Sequence, residues 1–167
     1  ETMCGAYHHQ FQIPAKIVMR YHPYGPGIRL DDGRVFADFV ANILKNQNIV
    51  LKSDGSAIRS FCYLADTITG FLKILLKGKN GQAYNLANEK ATVSIKELAG
   101  KLVKLFPEKK LKVIFEKRPK NDKYMESKII VNNPDTQKIR SLGWQPHFSL
   151  EEGFKRTIKS YLNENSS

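Results

Sequence analysis

Short apolar segments alternate with longer amphipathic segments along the chain, and this alternation constrains the fold more than any other feature of the sequence. Residues 15–21 are rich in β-branched side chains and are predicted to form a buried strand, followed by a loop at the prolines and glycines of residues 23–27. Further strands are predicted at residues 49–52, 83–87 and 111–116. Strands that alternate with helices along a chain predict an α/β fold.

The amphipathic segments between these strands are predicted to be helices. Apolar residues recur at helical spacing within residues 36–44 and again within residues 68–76. Two Ser-x-x-Glu capping boxes, at residues 94–97 and 149–152, predict the starts of two more helices. Pro107 is predicted to end the first of these two, because proline cannot continue a helix.

Single residues also have predicted structural roles. Asp66 stands where a helix N-cap or a first-turn acid is useful, since the N-terminal end of a helix favours negative charge. Trp144 is predicted to be a core anchor. Residues 1–7 are already helix-like, directly before a strand of the buried type.

The charge balance indicates the kind of partner. The chain of 167 residues, which suits one ordinary domain, has 27 Lys and Arg against 16 Asp and Glu, a net charge of +11 that favours acidic or phosphorylated partners. Ten basic residues lie within residues 101–128 beside only four acids, a patch able to neutralise nucleic-acid phosphates. No helix-turn-helix, zinc-finger or RNA-binding aromatic pattern accompanies this patch, so a nucleic acid is the less favoured partner.

The sequence disfavours several other classes of protein. Its apolar runs are far shorter than the roughly 20 residues of a membrane-spanning helix, and residues 1–7 do not resemble a secretory signal. Cys4 and Cys62 make no disulfide framework, so we expect a cytoplasmic chain. The histidines do not have the spacing of a zinc site, and no metal is predicted; they are His8, His9, His22 and His147.

Six motifs in a fixed order resemble those of the extended short-chain dehydrogenase/reductase family, the NAD-dependent nucleotide-sugar epimerases, dehydratases and decarboxylases. Each motif is weak alone, whereas six in the family's order are specific. They are RYHPYGPG at 20–27, DGRVFADF at 32–39, DG at 54–55 with RSFCYLAD at 59–66, AYNLAN at 83–88, RPKND at 118–122, and LGWQP at 142–146 with SLEEG at 149–153.

This resemblance implies the C-terminal part of a Rossmann-type enzyme, with its smaller substrate-binding subdomain and the last strands of the parallel sheet. The family's catalytic tyrosine and lysine, and its glycine-rich loop, are expected upstream of Glu1, so no catalytic residue is assigned here and the chain alone is expected to be inactive. Residues 1–167 are expected to be a single truncated unit. Residues 1–27 would be the end of the catalytic helix, a sheet strand and a loop. Residues 28–82 and 89–167 would be mainly the substrate-binding subdomain, and 83–88 a returning strand.

The resemblance also implies that the ligand is a nucleotide-diphosphate sugar. The planar guanidinium of arginine binds two phosphate oxygens at once, so Arg59 is the first candidate for the diphosphate and Arg118 the second. Asp122 is expected to accept hydrogen bonds from ribose hydroxyls. Arg34 and Val35 are expected to contact the nucleotide.

The cofactor implied by the resemblance is NAD. Tyr21, His22 and Pro23 are expected to approach its nicotinamide end, largely through the backbone, and His22 is also expected to contact the substrate. The complete enzyme is expected to be a homodimer. The sequence of residues 31–35 is most similar to that of UDP-glucuronate decarboxylases and dTDP-glucose dehydratases. The motifs do not determine the nucleotide base or the sugar, nor whether the reaction is an epimerisation, a dehydration or a decarboxylation. A non-catalytic ligand-binding or interaction module remains the alternative.

Overall fold

The computed structural model describes residues 1–116 and 129–164. Short strands and helices alternate over these residues, as the sequence predicts. The helices are α1 (Thr2–Phe11), α2 (Val35–Leu44), α3 (Leu64–Lys77), α4 (Ile95–Lys104), α5 (Gln137–Arg140) and α6 (Leu150–Glu164). The strands are β1 (Ile17–Arg20), β2 (Pro23–Tyr24), β3 (Ile49–Leu51), β4 (Ile58–Ser60), β5 (Cys62–Tyr63), β6 (Ala83–Leu86), β7 (Thr92–Ser94), β8 (Val113–Phe115) and β9 (Val131–Asn132).

The described strands pair in four small sheets, and most of the pairs are parallel. β1 lies parallel to β6, with Ile17 opposite Ala83 and Arg20 opposite Leu86. β2 pairs with β5 and β3 with β8, both in parallel. β4 lies between β7, to which it is antiparallel, and β9, to which it is parallel. Because parallel strands need crossover connections, this pairing is typical of an α/β fold.

The four predicted strands are present, each shorter than predicted. The prediction of a loop over residues 23–27 is wrong at its beginning, because Pro23 and Tyr24 form the short strand β2. Proline is tolerated there since it is the first residue of the strand. The prediction that Pro107 ends a helix is also wrong in detail: α4 ends at Lys104, and Pro107 begins a separate 3₁₀ turn.

The capping boxes fix the starts of two helices. At α4 both halves are formed, since the Ser94 hydroxyl accepts from the Glu97 N–H and the Glu97 carboxylate accepts from the Ser94 N–H. At α6 the Ser149 hydroxyl accepts from the N–H of Glu152. The Glu152 carboxylate accepts instead from Arg156, one helical turn along.

Two clusters of buried side chains form the core. The larger packs α2, α4 and α6 around the small strands, and in it the rings of Tyr24 and Phe154 stack with their centroids 3.9 Å apart. The smaller cluster lies between α3, α5 and β6 and includes Ile74, Leu86 and Trp144. Trp144 is therefore a core anchor, as predicted. Its indole N–H donates to the backbone carbonyl of Asp66.

Asp66 lies in the first turn of α3, as predicted, but its carboxylate acts on a distant segment. The two carboxylate oxygens accept from the backbone N–H groups of His147 and Phe148, at 3.0 and 3.1 Å. Asp66 is only 1% exposed. The side chain thus ties the segment before α6 to the start of α3. Within the described ranges, no helix is long and apolar enough to cross a membrane.

Candidate functional site

The candidate site lies where β1 and β6 end. Parallel neighbours present their carboxyl ends at the same edge, and ligands of open α/β sheets bind at that edge. The chain leaves β1 at Arg20, and the next residue, Tyr21, binds β6 twice. Its N–H donates to the Leu86 carbonyl at 3.1 Å, and its hydroxyl donates to the Asn85 side-chain oxygen at 3.3 Å. Tyr21 therefore fixes the direction in which the chain enters the site.

His22 follows in a backbone conformation that few residues adopt, with φ of +37°. Its carbonyl accepts from the Cys62 N–H at 3.3 Å, and its ring packs 5.6 Å from the Phe61 ring. The backbone of Ser60 also lies close to the ring. The ring nitrogen Nδ1 is buried and has no hydrogen-bond partner among the described residues.

The surroundings of His22 keep its imidazole neutral near pH 7. Burial is the largest cause that lowers the pKa of His22, followed by the positive charge of Arg59; Arg34 adds a smaller effect of the same sign. The backbone of Ser60 acts in the opposite direction, toward a higher pKa, but does not cancel these effects. Two guanidinium groups from separate segments thus act on one imidazole.

Arg34 is held at the start of α2 by three contacts. Its guanidinium makes an ion pair with Asp32, donates to the Pro23 carbonyl at 3.4 Å and lies 4.7 Å from the centre of the Phe36 ring. The Asp32 carboxylate also accepts from the backbone N–H of Arg34 at 2.9 Å. In return, Arg34 lowers the pKa of Asp32. Asp32 thus binds the Arg34 guanidinium, a group that could also bind a phosphate.

Arg34 and Asp32 line an open cleft of about 370 Å³. Its other walls are Arg20, Leu64 and residues 23–29. Gly25 lies so close to α3 that an added Cβ would stand 2.5 Å from the Leu64 Cβ, so the chain needs glycine at this position. The cleft has room for part of a nucleotide-sized ligand.

Arg59 lies on β4, outside the residues that line this cleft. Its Nη1 donates to the carbonyls of Ile58 and Ile130, at 2.7 and 3.3 Å. Arg59 nevertheless acts on His22, as Arg34 does. The structure therefore brings the predicted residues Arg34, Arg59 and His22 into one electrostatic group.

Other predicted site residues lie elsewhere. Pro23 lines the cleft, whereas Val35 begins α2 and packs against the larger core cluster. Arg118 and Asp122 fall outside the described residues. Sequence reasoning missed the role of Asp32, although the Asp-Gly turn directly before Arg34 is a signal for such a local contact. No group of three or more metal-ligating side chains occurs in the described part of the chain.

Comparisons with known proteins identify the family of the chain. A family model described as the NAD dependent epimerase/dehydratase family matches residues 1–87. UDP-glucuronic acid decarboxylase 6 of Arabidopsis thaliana is 31% identical over 156 residues, which are 92% of this chain and 42% of that protein. Human dTDP-D-glucose 4,6-dehydratase is 29% identical over 96% of this chain and 45% of its own length. The chain thus spans less than half the length of these curated relatives.

Solved structures show the same fold. UDP-glucuronic acid 4-epimerase from Bacillus cereus, solved with UDP-glucuronic acid and NAD, superposes with a TM-score of 0.81 at 25% identity over 98% of this chain and 50% of that one. UDP-glucose 4-epimerase from Thermotoga maritima, solved with UDP-glucose, gives 0.83 at 21% identity over 99% and 51%. The predicted fold, the C-terminal part of a Rossmann-type extended short-chain dehydrogenase/reductase, is confirmed.

Proposed function

The chain belongs to the NAD-dependent epimerase/dehydratase family, and from this premise we propose that it is the nucleotide-sugar-binding C-terminal portion of an NAD-dependent nucleotide-sugar epimerase, dehydratase or decarboxylase. One cluster of groups beside the carboxyl ends of β1 and β6 carries the proposal. The Arg34 guanidinium lines the cleft and donates to the carbonyl of Pro23, the residue after His22, and Arg59 on β4 also acts on His22. A diphosphate is the anionic part of a nucleotide sugar. Two guanidinium groups at one site can bind the phosphate oxygens of this diphosphate.

Within this proposal, the residues of the chain bind and orient the nucleotide sugar. Arg34 exchanges its contact with Asp32 for a phosphate oxygen, and Arg59 binds the diphosphate from β4. The open cleft between residues 23–29 and α3 receives part of the ligand. Arg118 and Asp122 are proposed to add a phosphate contact and a ribose contact, and Val35 to contact the nucleotide through its backbone.

NAD is the proposed cofactor of the complete enzyme, and when bound it would accept a hydride from C4 of the sugar. Tyr21, His22 and Pro23 stand together at the carboxyl ends of β1 and β6, which fits the nicotinamide end of NAD. The sequence contains no glycine-rich loop of the kind that binds the pyrophosphate of such a cofactor. These residues therefore fit one end of the cofactor only, and we expect the 167-residue chain alone to have no oxidoreductase activity.

The proposed enzyme is a homodimer that uses α1 as part of its interface. No residue of α1 is buried, and apolar side chains stand exposed on it: Met3, Tyr7 and Phe11 are 74%, 51% and 58% exposed. Exposed apolar patches of this kind are typical of interaction sites. We also propose that residues 28–82 and 89–167 form mainly the substrate-binding subdomain, because most members of the larger core cluster fall within them.

The function is tested by calorimetric titration of the chain with UDP or dTDP, which carry a diphosphate without the sugar. Arg59→Ala should weaken binding by about 1.5–3 kcal/mol, the range for a hydrogen bond to a charged group. That is roughly a tenfold to hundredfold loss of affinity.

The matched control is Arg156→Ala on α6, an exposed arginine that pairs with Glu152. The second control is Lys110→Ala, within the basic patch of residues 101–128. Both control variants should change the affinity for UDP or dTDP little. Equal affinities for Arg59→Ala and the parent, with a loss for Lys110→Ala, would contradict the proposal and favour a polyanion-binding surface.

A further inference from the structure

One ring nitrogen of His22, Nδ1, is buried and has no hydrogen-bond partner among the described residues. In a neutral imidazole one of the two ring nitrogens keeps a lone pair that can accept a proton. A buried polar atom without a partner costs free energy. The ring of His22 can therefore take up a proton when its surroundings favour the charged form.

The groups around His22 oppose that protonation while the site holds no anion. Arg59 on β4 and Arg34 before α2 are the charged groups that act on the ring, and both repel a second positive charge. Asp32 offsets part of the Arg34 charge through its ion pair. The cation on the ring would therefore need a further negative charge close by.

The other titratable groups on the surrounding elements do not supply that charge. On β5, burial raises the pKa of the Cys62 thiol to about 11, so it stays neutral near pH 7. On β2, burial raises the pKa of Tyr24 well above its usual range. The phenol of Tyr21 is engaged with Asn85. The Asp66 carboxylate on α3 accepts from the N–H groups of His147 and Phe148 and is not among the charges that act on His22. A bound ligand is therefore the remaining source of negative charge.

We propose that His22 takes up a proton when a diphosphate binds beside Arg34 and Arg59, so that the site binds its ligand together with a proton. This inference rests on the proposed function, because it needs a diphosphate at this site. The two negative charges of the ligand offset the two guanidinium groups. His22 is a specificity-determining residue in this scheme. A neutral ligand of the same shape would not cause His22 to take up a proton, and so it would not gain the attraction of a third positive charge.

The sign of the pH dependence follows from linkage. The pKa of His22 is lowered in the free chain and rises when the anion binds, so the complex holds more protons than the free components between these two values. Affinity for the diphosphate therefore falls as the pH rises through that window. The slope of a single proton is at most about tenfold per pH unit.

The test is titration calorimetry of the unaltered chain with UDP-glucose, whose diphosphate is esterified at both ends and does not itself titrate near neutral pH. The titration is made at about pH 6.5, the ordinary pKa of histidine, in two buffers of different ionisation enthalpy. A difference in the observed heat that corresponds to uptake of a fraction of one proton supports the proposal. Equal heats in the two buffers, with UDP-glucose bound, would overturn it and leave the proposed function standing.

Absence of UDP-glucose binding would overturn both proposals. His22→Asn should bind UDP-glucose with the same heat in both buffers and with a flat pH profile, whereas His9→Asn, at an exposed position on α1, should keep the proton uptake. If His22→Asn does not fold, the imidazole signals of the unaltered chain give the answer by NMR. One of its four histidines should then titrate at a higher pH with UDP-glucose than without it. Unchanged titration of all four would refute the inference.

Discussion

The contact between Asp66 and the segment before α6 offers a direct test of how the fold is held together. Replacing Asp66 with alanine removes the acceptor for two backbone N–H groups, those of His147 and Phe148. An unsatisfied buried donor costs about 1–3 kcal/mol. Both donors are only partly buried, so the lower part of that range applies to each. We expect Asp66→Ala to lower the free energy of unfolding by about 2–4 kcal/mol.

Thermal denaturation followed by circular dichroism measures this loss. For a chain of this size, each kcal/mol lowers Tm by about 2–4 °C, so Asp66→Ala should lower Tm by about 5–15 °C. Asp66→Asn keeps the volume of the side chain but places an amide against one of the two donors, and it should also be destabilised.

The matched control is Asp38→Ala, because Asp38 also lies in the first turn of a helix, α2, but is exposed. A first-turn acid at the surface contributes about 0.3–1 kcal/mol through the helix dipole. Equal losses of stability in Asp66→Ala and Asp38→Ala would show that Asp66 acts only on its own helix and does not hold the segment before α6.

Two further predictions concern the surface and the cleft. Asp32→Asn should raise the affinity for UDP-glucose by about two- to fivefold, because it releases Arg34 from an ion pair worth about 0.5–1 kcal/mol. The control is Asp31→Asn, which affects the exposed ion pair with Arg29 and should change the affinity less. A loss of affinity in Asp32→Asn would show that Asp32 positions Arg34 for the ligand. On the outer face of α3, the side chains of Leu72 and Leu75 are 52% and 62% exposed, so we expect the chain to self-associate through this face. Replacing both leucines with lysine should reduce the weight-average mass measured by sedimentation. An unchanged mass would exclude this face as the contact.

The sequence predicts the elements whose signal is local. The helix α4 begins at Ile95, directly after the predicted cap Ser94, because its apolar period and its capping box agree. The strands β3 and β8, of three residues each, are predicted because they are wholly apolar. The strands β4, β7 and β9 are as short but contain polar residues, and their partners lie far along the chain, so no local pattern indicates them. Such pairing is decided by tertiary packing rather than by propensity.

The same distinction applies to the candidate site. The motif that contains Arg59 drew attention to that residue, and the resemblance drew attention to Arg34, but neither indicates that both act on one imidazole. Asp66 was predicted from its place at a helix start, whereas its partners lie 81 and 82 residues away. The left-handed backbone of His22, and the lack of a partner for its Nδ1 among the described residues, depend on how β2 and β5 meet. Contacts of this kind appear only after the chain has folded.

The central claim is that a nucleotide diphosphate binds where Arg34, Arg59 and His22 come together. The most direct measurement is an amide NMR map of the chain with increasing UDP-glucose. We expect the largest shifts at Tyr21, His22, Arg34 and Arg59. Shifts confined to the basic run that begins at Lys101 would contradict the claim and place the anion on the lysine-rich surface instead.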